Sequence, residues 1–132
     1  MAGELILVTE DNEKSRKLMR EVLTVKGYQI LETDTAEEAI RIAQESRPAL
    51  ILMDLQLPGM NGITALGVLR ADPRTSQIPV IAVTASVMSH HRSQIMAAGF
   101  DGYQSKPLNV KEFLQAVRDA LDHGRTDSPV KP

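Results

Sequence analysis

Ala49-Leu-Ile-Leu-Met-Asp54-Leu-Gln-Leu-Pro58-Gly-Met-Asn-Gly62 is the stretch on which the reading of this 132-residue chain turns. Leu50 to Met53 form a short unbroken apolar run, the pattern of a strand buried on both faces. The run ends on an acid, Asp54. Leu57-Pro58-Gly59 turns the chain, and Ile63, Leu66 and Leu69 then recur at helical spacing. A carboxylate at the carboxyl end of a central parallel strand stands where open α/β sheets place their chemistry.

The same punctuation repeats outward from this stretch. Leu5 to Val8 is a first buried strand running into Thr9-Glu10-Asp11-Asn12. Leu18, Met19, Val22 and Leu23 predict a helix stopped at Gly27. Tyr28 to Leu31 is a second strand. Thr35 and Glu38 read as a capping box opening a helix whose buried face is Ala36, Ala39, Ile40 and Ala43. Pro79 to Val83 is a fourth strand, ending in Thr84-Ala85-Ser86. Residues 87 to 97 carry a weaker helical stripe (Met88, Ile95, Met96). Gly102 to Ser105 is a fifth strand, followed by Lys106-Pro107. Asn109, with Glu112 at N3, opens a last helix lined by Val110, Phe113, Leu114, Val117 and Leu121. The pattern predicts one domain over residues 1–122 and a fraying tail over 123–132. Five alternating strands and helices predict a parallel, doubly wound sheet, with the flavodoxin-like order 2-1-3-4-5 as the economical arrangement.

Composition narrows the chemistry. The chain has no cysteine, which excludes disulfides, thiolate metal sites and Cys nucleophiles. A net charge of −2 exerts no general pull on nucleic acid or anionic membrane. Tyr28, Phe100, Tyr103 and Phe113 are too scattered for a base-stacking platform. No apolar run approaches a bilayer span, and the N-terminus lacks a signal-peptide pattern, so a cytoplasmic location is expected.

In a parallel sheet the strand ends share one edge. Glu10, Asp11, Asp54, Thr84 and Lys106 are thereby expected together. Three carboxylates at one edge call for a cation, and an all-oxygen donor set favours Mg²⁺ over Ca²⁺ or Zn²⁺. Metal, lysine and hydroxyl around a central acid suit transfer of a phosphoryl group onto a carboxylate, with Asp54 as nucleophile. Asp11 is then a direct metal ligand and Glu10 an outer one acting through water. The adjacent His90 and His91 point different ways on a helix and read as solvated. The methionines read as core fillers, with Met19 and Met88 also possible at partner surfaces.

These residues closely resemble the receiver domain of two-component response regulators, the CheY-like superfamily, over about residues 4 to 122. The resemblance rests on Glu10-Asp11, on Asp54 in its Leu-Met-Asp-Leu-Gln-Leu-Pro-Gly-Met-Asn-Gly setting, on Thr84-Ala85, and on Tyr103-Gln-Ser-Lys106-Pro107; stand-alone receivers of the cell-division type look most similar. It implies phosphorylation of Asp54 by a histidine kinase or histidine phosphotransfer protein. It implies Mg²⁺ on Asp11, Asp54 and the Gln56 main-chain carbonyl, a cis Lys106-Pro107 bond, and a switch through Thr84 and Tyr103 that remodels a protein-binding surface. Glu10 stands where an Asp is commoner. Gln56 and Ser86, flanking the path of a hydrolytic water, imply slow self-dephosphorylation rather than enzymatic turnover. Partner docking is expected near Asn12, Ser15, Met19, Pro58 and Pro107, with an unknown downstream protein target and no nucleic acid or membrane. A receiver excised from a hybrid kinase is the alternative. A phosphatase of the haloacid-dehalogenase kind is disfavoured because Gln56 occupies the position of its second acid.

Overall fold

The computed structural model describes residues 3–85 and 89–124, without the side chains of residues 89–92. Five strands alternate with five helices: β1 (Leu5–Thr9), α1 (Glu13–Val25), β2 (Gln29–Thr33), α2 (Ala36–Ser46), β3 (Leu50–Asp54), α3 (Gly62–Ala71), β4 (Val80–Thr84), α4 (Ser89–Ala98), β5 (Gly102–Ser105) and α5 (Val110–His123). All four strand pairings are parallel, and the sheet order is β2-β1-β3-β4-β5, as expected.

Alternating side chains divide the core between the two faces of the sheet. Leu7, Ile51, Met53, Val80 and Ala82 pack with Ala36, Ala39, Ile40 and Ala43 of α2 and with Ala65, Leu66 and Leu69 of α3. Ile6, Val8, Leu50, Leu52, Ile81 and Val83 pack with Met19 and Leu23 of α1 and with Phe113 and Val117 of α5. Every residue of β3 and β4 is buried, which explains why these strands read as unbroken apolar runs.

The helix starts follow from their caps. Asn12, Thr35, Asn61 and Asn109 each accept a hydrogen bond from the backbone N–H three residues on. The box at α2 is one-sided: Thr35 Oγ1 accepts from Glu38 N, but the Glu38 carboxylate turns to Arg41. Several expected core positions face out. Val110 is 42% exposed and Ile63 46%, so the buried stripes of α5 and α3 are narrower than the sequence periodicity implies. In α4 Ile95 is buried and Met96 exposed. Ser86 and Met88 lie outside the described residues, as do the side chains of His90 and His91.

Gly62 shows how tightly α3 is seated beneath the end of β3. A Cβ there would come within 2.9 Å of the Asp54 carbonyl oxygen and of Leu55 Cδ2. Gly67, on the same helix, has open space around it. Gly62→Ala is therefore expected to destabilise by about 1–3 kcal/mol through overpacking. Gly67→Ala should stabilise by roughly 0.5–1 kcal/mol by removing a helix-interior glycine. Urea denaturation of both variants reads this contrast, and equal effects would contradict it.

Candidate functional site at the carboxyl edge of the sheet

Backbone hydrogen bonds carry the sheet past its strand ends and gather the polar residues there. Glu10 N donates to Thr33 O at 3.0 Å, Leu55 N to Val83 O at 3.1 Å, and Lys106 N to Thr84 O at 2.8 Å. The ends of β1, β3, β4 and β5 thus meet at one rim. Glu10, Asp54 and Thr84 are buried there, at 0%, 2% and 2% exposure, while Asp11 is exposed. Carboxylate oxygens of Glu10, Asp11 and Asp54 lie within 4.8 Å of one another.

Lys106 is the cation of this cluster. Its Nζ donates to Glu10 Oε2 at 3.0 Å and to Asp54 Oδ2 at 3.3 Å. It also stands 2.9 Å from Glu10 Oε1. Both carboxylate oxygens of Glu10 therefore face the same ammonium. Asp54 Oδ1 accepts from Gln56 N at 2.9 Å, and Glu10 Oε2 accepts from Asn12 N at 3.0 Å. The Lys106-Pro107 peptide is cis, as the resemblance implied.

Electrostatics follow from crowding away from water. Burial pushes the Glu10 carboxyl up to about 7, and sharing a proton with Asp54 adds to the rise, while Lys106 and Asn12 N–H oppose it. Burial alone would lower Lys106, but the Glu10 and Asp54 carboxylates outweigh it and hold the ammonium above its ordinary value. One lysine does not neutralise three ionised carboxylates. An all-oxygen cluster of three carboxylates with a single ammonium among them fits a hard metal ion.

The structure thus brings together Glu10, Asp11, Asp54, Thr84 and Lys106, with Gln56 at the turn that follows. Tyr103, on β5, is half-buried and packs against the cluster on the α2–α3 side of the sheet. Met19 is fully buried, at 1% exposure, so it fills the core and is not a docking residue; its neighbour Leu18, 38% exposed, is the apolar side chain that α1 presents near the site, Val25 being exposed at the far end of the helix. The sequence reading assigned the end of β2 nothing. There, Thr33 O holds the Glu10 backbone, and Glu32 pairs with Arg16 and Arg20. Arg16 and Arg20 lie one turn apart on α1, but nothing in that spacing points to Glu32, which is far along the chain on β2.

A response regulator receiver domain model matches residues 6–118. This chain belongs to the response regulator receiver family. The polar-differentiation response regulator DivK of Brucella anthropi is 39% identical over 116 residues, 88% of this chain and 94% of that protein. DivK of Brucella ovis is 38% identical with the same coverage. Among solved structures, the receiver domain of a sensor histidine kinase from Pseudomonas aeruginosa, which holds a magnesium ion in its active-site cleft, superposes with a TM-score of 0.84. It is 29% identical, covering 91% of this chain and 98% of that one. The chemotaxis response regulator CheY4 of Vibrio cholerae, 22% identical with a TM-score of 0.83, shares the fold, covering 89% of this chain and 98% of that chain. As a receiver, the chain is a signalling module of two-component systems. No helix among the described residues is long and apolar enough to cross a membrane.

The raised Glu10 carboxyl has a pH signature. The unfolded group titrates near 4.5 and the folded one near 7, so between these values the folded state retains a proton that the unfolded state has lost. In metal-free buffer, Glu10 therefore makes the protein lose stability as pH rises from about 4.5 to about 7. Glu10→Gln should remove this component. Thermal unfolding of both proteins in EDTA across that range tests it; parallel pH profiles would contradict it.

Proposed function

We propose that this receiver accepts a phosphoryl group on Asp54 from a phosphohistidine donor and signals by switching a protein-binding surface. The observation that carries the reading is the pairing of a buried Asp54 with Lys106 inside a cluster of three carboxylates. Asp11, Asp54 and the Gln56 main-chain carbonyl would hold Mg²⁺, with Glu10 reaching it through water. The ion, when bound, offsets negative charge on the transferring phosphoryl oxygens.

The residues of the chain do the rest. An Asp54 carboxylate oxygen attacks phosphorus, forming a P–O bond as the P–N bond to the donor imidazole breaks, and the imidazole leaves with the electron pair. Lys106, already 3.3 Å from Asp54 Oδ2, stands beside the developing charge. The Thr84 hydroxyl, buried at the end of the neighbouring strand, is placed to donate to a phosphoryl oxygen. Drawing Thr84 toward the phosphoryl group frees space for Tyr103 to move inward, which biases the surface of α4, β5 and α5 between two states.

A histidine kinase or phosphotransfer protein docks over the exposed Asn12, Pro58 and Pro107 and the half-buried Ser15, with Leu18 supplying the apolar contact expected of Met19. The similarity to DivK favours a response regulator; a cytoplasmic location and a protein target as output, with neither nucleic acid nor membrane, complete the proposal. Likeness to a receiver from a sensor histidine kinase keeps a piece of a hybrid kinase as the second reading.

Incubation with acetyl phosphate and Mg²⁺ should add the mass of one phosphoryl group to the wild type and nothing to Asp54→Ala. Labelling of Asp54→Ala, or none of wild type, would contradict the reading. Gln56 is exposed and carries no basic group near the ester. Once acetyl phosphate is removed, phospho-Asp54 should outlast a timescale of seconds, and loss within seconds would count against the slow hydrolysis proposed here.

A further inference from the structure

Asp11 is the one carboxylate of the cluster that nothing grips. Its side chain is exposed and makes no hydrogen bond or ion pair among the described residues. The direction of its Cα–Cβ bond is set by the backbone, of which the peptide plane that joins it to Glu10 is a rigid part. Arg16 holds this plane. Its Nη1 donates to Glu10 O, the carbonyl of that same peptide, at 2.8 Å.

Arg16 is itself braced. Its Nε lies 3.4 Å from Glu32 Oε1 near the end of β2, and the side chains of both residues are only about a quarter exposed. Arg20 Nη1, one turn further along α1, donates to Glu32 Oε1 at 2.9 Å and Oε2 at 3.1 Å. Arg16 N donates to Asn12 O at 2.9 Å, and Ser15 N to Asn12 Oδ1 at 2.9 Å, which ties the first turn of α1 to the turn that precedes it. Glu10 N is tied to Thr33 O, the residue after Glu32. The backbone is thus held on both sides of Glu10: β2 fixes the Thr9–Glu10 peptide, and a guanidinium that β2 orients fixes the Glu10–Asp11 peptide.

We propose that Arg16 is a positioning residue of the acidic site, acting through the Glu10–Asp11 peptide to aim the Asp11 carboxylate into the cluster with Glu10 and Asp54. Glu32 and Arg20 set its angle. Arginine suits the task because its planar fork reaches a carbonyl and a carboxylate together, with charge-assisted hydrogen bonding. A purely structural surface pair would change little, since exposed ion pairs add little to stability. A residue that orients a ligand should instead weaken metal binding. The inference rests on reading Glu10, Asp11 and Asp54 as a metal site, and its test separates the two.

Two readouts on wild type, Arg16→Ala and Arg16→Lys decide it. The first is amide exchange of Asn12 in metal-free protein, since Asn12 N donates to Glu10 Oε2. Arg16→Ala should speed Asn12 exchange while the buried amides of Leu7 and Ile51 keep their protection. The second is Mg²⁺ affinity by titration calorimetry, which Arg16→Ala should weaken about tenfold, the scale of lost outer-shell support. Arg16→Lys, which keeps the charge but not the fork that meets Glu10 O and Glu32 together, should recover only part of both. Unchanged Asn12 exchange, a uniform loss of protection, or Mg²⁺ affinity within about twofold of a binding wild type would overturn the assignment. If wild type binds no Mg²⁺, the metal reading fails, and the Asn12 exchange still decides whether Arg16 holds the turn.

Discussion

The site depends on one electrostatic arrangement: two buried carboxylates, Glu10 and Asp54, sharing a single ammonium at the rim of the sheet. Charges away from water are costly unless paired, and Lys106 meets both acids. The pairing leaves the cluster short of positive charge when all three acids are ionised. That deficit suits the rim to a metal ion, while burial, helped by the neighbouring Asp54, pushes the Glu10 carboxyl toward neutrality. The same features that oppose leaving the site empty favour loading it.

The fold supplies this arrangement by register. β1, β3, β4 and β5 run parallel, so their carboxyl ends lie together, and backbone hydrogen bonds beyond each strand carry Glu10, Leu55 and Lys106 into place. Gly62 lets α3 close against the Asp54 carbonyl, where any side chain would intrude. The chain's membership of the receiver family agrees with this fold.

Much of this was legible in the sequence. The apolar runs of β3 and β4 are unambiguous because both faces of those strands are covered, and the four-residue buried face of α2 follows from its alternation with charges. Where the reading went astray, the periodic signal was ambiguous. On α1, Leu18 and Met19 are both apolar neighbours, and only packing against Val8 and Phe113 shows that Met19 is the buried one. The Thr35–Glu38 box is satisfied from one side because Arg41 competes for the carboxylate. Arg70, whose guanidinium donates to Ile78 O at 2.7 Å and pairs with the fully buried Asp101 carboxylate, left no trace in sequence spacing. Contacts of that kind join residues far apart in the chain and follow neither helical nor strand periods. The support that Glu32 and Arg16 lend to Glu10 was missed for the same reason.

The central claim is that one acid, Asp54, carries the phosphoryl group. Reduction with borohydride after incubation with acetyl phosphate and Mg²⁺ converts an aspartyl phosphate to homoserine and records its position in a peptide map. The account predicts homoserine at position 54 and nowhere else. A reduced residue at position 10 or 11, or a peptide map with none, would contradict it.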